Sequence, residues 1–175
     1  MGMVGGSIFT IYASLSPSAF SIGGILLALG LMGMARIYHR LMNLRDFFRI
    51  TLLTEMIMLV MILYFLLFSN QPIVAIIIYG AYQFSYAFGG YLMRAETHFA
   101  KKIRIMEWMD VVRQQGYLIG LALSYGFYKL LEFYGVMEAK TQVYYLHFRL
   151  LILQLIIIIF LINSFRRRKI SKGLT

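Results

Sequence analysis

The chain of 175 residues is 61% hydrophobic and only 14% charged, carries a formal net charge of +10, and has a mean hydropathy of +0.75. These proportions exclude a soluble globular domain of this length, and the lack of cysteine excludes disulfide exchange, thiolate catalysis and cysteine-ligated metals. Nor does the positive charge point to nucleic acid, because membrane-length apolar segments separate the basic residues instead of one stripe gathering them.

A bilayer core about 30 Å thick asks for about 20 apolar residues per helix. Five stretches meet that length and one falls short. The short one is residues 1–15, ended by Ser16-Pro17-Ser18. The second predicted span covers about residues 19–35, and the third covers 50–68 and ends at Ser69-Asn70-Gln71. Pro72 is placed to open the fourth as its first-turn residue, since proline lacks the N–H that a helix start leaves unpaired anyway. That span runs over about 72–93, the fifth over 111–131 and the sixth over 144–165, followed by a basic tail at 166–175. The expectation is one all-α integral membrane domain of five to six transmembrane helices. The first helix is expected to be shortened, the chain starting inside it or being a fragment; a re-entrant or interfacial segment is the competing reading. No cleavable signal peptide is expected, because the amino terminus lacks a basic region.

Charge sets the topology. Arg36, Arg40, Arg45 and Arg49 form one basic cluster; Arg94, Lys101, Lys102, Arg104 and Arg113 form a second; Arg166, Arg167, Arg168, Lys169 and Lys172 form a third. The alternate linkers carry a mixed, nearly neutral set, Lys129, Glu132, Glu138, Lys140 and Arg149. The positive-inside rule then places all three clusters on the cytoplasmic side of a cytoplasmic (inner) membrane, with the carboxyl terminus inside. The expected partners of these cations are anionic lipid headgroups, each basic residue contributing on the order of 1 kcal/mol near the surface.

Residue size suggests an internal order. The fourth span sets Ala81, Ser85 and Gly89 at four-residue intervals, and the fifth does the same with Gly116, Gly120 and Ser124; the second offers Ala19 and Gly23. Small residues four apart share a face and let helix backbones approach closely. The third and sixth spans lack glycine and alanine and are expected to face lipid. Small, small, bulky, repeated twice, suggests two inverted three-helix repeats, a transporter architecture.

Within the fourth span, Gly89-Gly90-Tyr91-Leu92-Met93-Arg94-Ala95-Glu96 closes the helix. A basic amphipathic linker follows, and Arg113-Gln114-Gln115-Gly116-Tyr117-Leu118-Ile119-Gly120 opens the fifth. With three-plus-three helices and a basic second-to-third loop, the chain resembles one six-helix half of a major facilitator superfamily transporter. In that loop Gly33-Met34-Ala35-Arg36-Ile37-Tyr38-His39-Arg40 keeps the glycine and the basic character but not the family's aspartate and second glycine. The resemblance implies a small-solute transporter, or half of one, working by alternating access, and it raises Arg94 as a gating residue. The resemblance covers nearly the whole chain and leaves open which half it is.

Tyr79, Gln83, Tyr86 and Gly90 fall on one helical stripe with Tyr82 beside it, so Tyr79, Tyr82, Gln83 and Tyr86 are the expected lining of a substrate cavity; bonding to neighbouring helices is the competing role. Tyr12 and Ser14 of the first span are weaker candidates for facing the same cavity. Glu55 is the one carboxylate clearly inside a span, about 9 Å deeper than Arg49 at 1.5 Å per residue, and is either a proton site or a partner of Arg49 or Arg113. Arg94 with Glu96, and Asp110 with Arg113, bracket the linker as a gate or as interfacial ion pairs.

An enzyme is not expected. His39 and His98 lie at one side and His147 near the other, so they cannot share a metal. Ala122-Leu123-Ser124-Tyr125-Gly126 lacks the strand-turn-helix setting a serine nucleophile needs. No cofactor is expected. The expected partners are lipids, an unidentified small-molecule substrate, and a second copy in a homodimer or a second transporter half. An accessory membrane subunit packing on a partner's helices is the alternative function.

Overall fold

The structure is a computed structural model describing residues 11, 15–69, 71 and 73–171, with side chains as far as Arg166. Five helices follow in order: α1 (Pro17–Leu41), α2 (Leu44–Phe68), α3 (Ile73–Ala100), α4 (Ile103–Phe133) and α5 (Ala139–Ser171). No strand occurs among the described residues. Tyr12 and Ser14 of the first predicted span lie outside them.

Local chemistry explains the ends. Pro17 stands in the first turn of α1 behind Ser16, whose hydroxyl accepts from the Ala19 N–H. Asn43 caps α2 by accepting from the Asp46 N–H at 2.9 Å and returns a bond from its own amide to the Asp46 carboxylate at 2.7 Å. Asp46 also sits where the helix dipole favours negative charge. At the end of α4, Gly135 takes φ +83°, and the Gly135 and Val136 N–H groups bond back to Glu132 and Leu131. This is the glycine-terminated helix end that satisfies the last carbonyls.

Helices α1, α2, α3 and the Ala139–Arg166 part of α5 are long and apolar enough to cross a membrane. α4 is not among these four. Gln114, Gln115, Tyr117, Tyr125, Tyr128 and Lys129 dilute its apolar character, so the fifth expected span forms as a helix but is the least lipid-like. It also starts earlier than expected: the basic linker from Ile103 onward is its first turns. At 31 residues it is about 46 Å long, well beyond a 30 Å core.

Contacts set the order of packing. Phe20 meets Tyr79, Leu31 lies beside Gly90 and Tyr38 meets Tyr91, so residue numbers rise together and α1 runs parallel to α3. Phe48 meets Phe165, Glu55 meets Gln154 and Phe65 meets His147, so α2 and α5 run antiparallel. α3 also packs against α2, which gives a row α1–α3–α2–α5, with α4 touching α3 and α5 more sparsely. The core lies towards the end away from the basic turns: Met61, Ile62, Phe65, Val74, Ile78, Tyr82, Phe127, Val143, Leu146 and Leu150, with Ile11 packed against it.

One expectation is overturned here. The bulky third and sixth spans were to face lipid, yet α2 and α5 pack on each other and supply most of the core. Large side chains interlock as well as they shed water, so bulk alone does not assign a helix to the rim. Conversely a Cβ added at Gly116 of the fifth span would meet nothing within 4 Å.

Candidate functional site

The close approach of α1 and α3 rests on small residues. A Cβ at Gly23 would fall 2.2 Å from the Tyr79 ring, one at Gly30 3.0 Å from the Ala87 Cβ, and one at Gly90 2.8 Å from Leu31. Tyr79 uses this space to donate its hydroxyl to the Phe20 carbonyl at 3.1 Å, its ring edge-on to Phe20. The four-residue ladder expected on α3 is therefore not the α1 contact; Ala87 and Gly90 are, and a Cβ added at Gly89 would meet nothing within 4 Å.

The expected stripe is divided. Tyr79 and Gly90 are committed to α1. Tyr82 is buried in the core, Gln83 is half-buried, and Tyr86 is 44% exposed with its ring 6.1 Å from that of Tyr82. Tyr82, Gln83 and Tyr86 thus form a polar and aromatic group running from the core to the surface of α3. Two further hydroxyls, Ser85 Oγ on α3 and Tyr128 OH on α4, are buried without a hydrogen-bond partner among the described residues. Unpaired hydroxyls in an apolar layer are costly, which marks both as places where a polar guest is favoured.

Glu55 pairs with neither Arg49 nor Arg113. Its partner is Gln154 of α5, whose amide donates to the Glu55 carboxylate at 2.6 Å and to its main-chain carbonyl at 2.9 Å. Gln154 is 7% exposed. Among the described residues no cation forms an ion pair with Glu55. Farther along the same seam, His147 is buried, stacks on Phe65 at 4.0 Å, and bonds through Nδ1 to the Val143 carbonyl at 2.7 Å. A carbonyl only accepts, so Nδ1 carries the proton.

At the basic end Arg113 joins Glu96 on α3 and, at 2.8 Å, Asp110 on its own helix. Arg94, expected beside Glu96 in this group, is exposed and forms no ion pair among the described residues. Tyr91, fully buried, donates to the Leu41 carbonyl at 2.6 Å and ties the last turn of α1 to α3. Each Arg113 pair is half-exposed and contributes about 0–1 kcal/mol. Arg113→Gln is therefore expected to leave global stability nearly unchanged while raising amide hydrogen exchange over residues 103–112. Unaltered exchange there would mean that α4 is held by something else.

Sequence reading missed Gln154, His147 and Tyr91. Gln154 had a signal: it is the one polar residue between Leu150 and Ile162, as Glu55 is the one carboxylate of its span. Two isolated polar groups in neighbouring apolar helices are natural partners. No group of three or more metal-ligating side chains occurs among the described residues. No protein-family model, curated protein or solved structure matches the chain.

Proposed function

We propose that the chain is one half of a small-solute membrane transporter of the major facilitator type, working by alternating access. Its basic end faces the cytoplasm, and a second copy or second half completes it. The observation that carries this reading is α4, which is not among the four helices apolar enough to cross a membrane and packs only sparsely on α3 and α5, with Tyr117 and Tyr125 exposed and Gly116 open. A helix of that composition is costly against lipid and suits a wall on which another six-helix unit closes. Tyr82, Gln83 and Tyr86, with the Ser85 and Tyr128 hydroxyls, then supply hydrogen bonds and ring contacts to the solute. Glu55, held by a neutral amide and by no cation among the described residues, is the candidate for a proton that moves with it. Arg113, shared between Glu96 and Asp110, is the candidate gate at the cytoplasmic end, with Arg94 beside it.

The test is complementation of a strain lacking the chain. Gln83→Ala and Tyr86→Phe are expected to insert normally and to lower function at least tenfold; wild-type function in both removes the proposed cavity. Light scattering in nanodiscs is expected to give a protein mass of about 40 kDa, twice 20.3 kDa, if two copies form the transporter.

The same bare face of α4 also favours a second reading, an accessory subunit whose α4 binds a partner's helices. Co-purification of a stoichiometric partner, together with full complementation by Gln83→Leu, would select it.

A further inference from the structure

The α1–α2 and α3–α4 turns are held at the same end of the bundle. Phe47 and Phe99 stack edge to face at 5.7 Å, and Tyr91 bonds the Leu41 carbonyl. The two turns bring together Arg36, Arg40 and Arg45 from one side and Lys101, Lys102 and Arg104 from the other, all six exposed. None forms an ion pair among the described residues. Three acids at this end are already engaged, Asp46 with Arg49 and both Glu96 and Asp110 with Arg113, and Glu107 is a single further carboxylate against six cations, so the excess charge is not neutralised among the described residues. Lys101 also holds a φ of +55°, a left-handed conformation that glycine adopts more readily, so the turn presents its paired lysines at a conformational cost.

The first turns of α4 are amphipathic and leave an apolar arc exposed. Glu107, Asp110, Arg113 and Gln114 share one arc, which reaches α3 through Arg113 and Glu96. Ile105, Trp108 and Val112 share the opposite arc, and Trp108 is 68% exposed. Met106 and Met109 are half-buried, Arg113 joins the polar arc to α3, and the arc of Ile105, Trp108 and Val112 lies exposed.

From this juxtaposition we infer an anionic-phospholipid site at the paired turns: the six cations hold headgroup phosphates while Trp108 and Ile105 sit at the boundary between headgroups and acyl chains. Cations beside an indole at the headgroup level match the chemistry of that boundary. The site does not depend on transport.

Trp108 is the chain's single tryptophan and reports on the site directly. The full chain would be reconstituted in phosphatidylcholine vesicles containing equal fractions of brominated phosphatidylglycerol or brominated phosphatidylcholine. Stronger quenching of Trp108 by the brominated phosphatidylglycerol is expected, since each basic contact favours an anionic headgroup about fivefold; equal quenching overturns the site. The triple variant Lys101→Gln, Lys102→Gln, Arg104→Gln is expected to bring the two lipids close to parity, and a retained preference overturns the assignment to this turn. Inorganic phosphate at constant ionic strength is expected to leave the preference intact. Its loss would assign the cations to a free anion instead of a lipid.

Discussion

Replacing Gln154 with leucine is expected to lower stability by about 1–3 kcal/mol, read as an earlier thermal unfolding midpoint in detergent. Gln154 is buried, and both of its amide bonds run to Glu55. Leucine fills a similar volume, so the loss comes from leaving a carboxylate among apolar side chains without its donor. Hydrogen bonds between membrane helices average below 1 kcal/mol because the unfolded state also finds partners, but a carboxylate acceptor lies at the upper end. Glu55→Leu together with Gln154→Leu removes both polar groups and is expected to recover most of the stability. The coupling from the four-protein cycle is expected at about 1–2 kcal/mol. Strict additivity would show that the two residues do not interact in the membrane. The pair also bears on the proposed transport: Glu55→Gln keeps an acceptor for Gln154 but removes the exchangeable proton. Loss of transport in a stable Glu55→Gln variant therefore separates a proton role from a structural one.

Much of the architecture was legible in the sequence because it depends on local quantities. Apolar length placed the described spans, and the break read at Ser16-Pro17-Ser18 lies at a real helix start, while Pro72, expected to open the fourth span, lies outside the described residues. The glycines of the second and fourth spans did mark a close helix contact, although the contact uses Gly23, Gly30, Ala87 and Gly90 and not the regular four-residue ladder. What was not legible is which faces meet. The stripe of Tyr79, Gln83, Tyr86 and Gly90 is continuous on a helical projection, yet the neighbouring α1 claims its two ends, and nothing in α3 alone announces that. Likewise Leu, Ile, Met and Phe at 50–68 are compatible with lipid and with a core; only the partner decides, and here α5 is the partner. The proposed gate residues show the same limit, since Arg113 takes Glu96 from across the turn and leaves Arg94 outside the pairing.

Gly23 and Gly24 offer an internal comparison with opposite expected outcomes. A Cβ on Gly23 would lie 2.2 Å from Tyr79 Cε1 and 2.6 Å from both its Cζ and hydroxyl, whereas one on Gly24 meets nothing within 4 Å. Gly23→Ala must push the Tyr79 ring aside, breaking its bond to the Phe20 carbonyl and its edge contact with the Phe20 ring. Overpacking of this kind costs about 1–3 kcal/mol. The cost cannot be relieved by a small shift of one side chain end, because the displaced hydroxyl would leave the Phe20 carbonyl without this donor. Gly24→Ala carries no such contact and gains helix propensity, so its stability is expected to be unchanged or to rise by up to about 1 kcal/mol. Adding Tyr79→Ala to Gly23→Ala is expected to remove the clash, so that the second substitution costs much less there than in a Gly23 background. Thermal unfolding of the four variants in one detergent measures this, and equal effects of alanine at the two glycines would show that α1 and α3 do not meet at Gly23. Because α1 reaches the rest of the bundle chiefly through α3, the Gly23 contact also governs whether the basic turn at Leu41 stays fixed beside Tyr91. A loosened Gly23 variant is therefore expected to weaken the anionic-lipid preference at Trp108 as well, a coupling between the middle of the helix pair and its basic end.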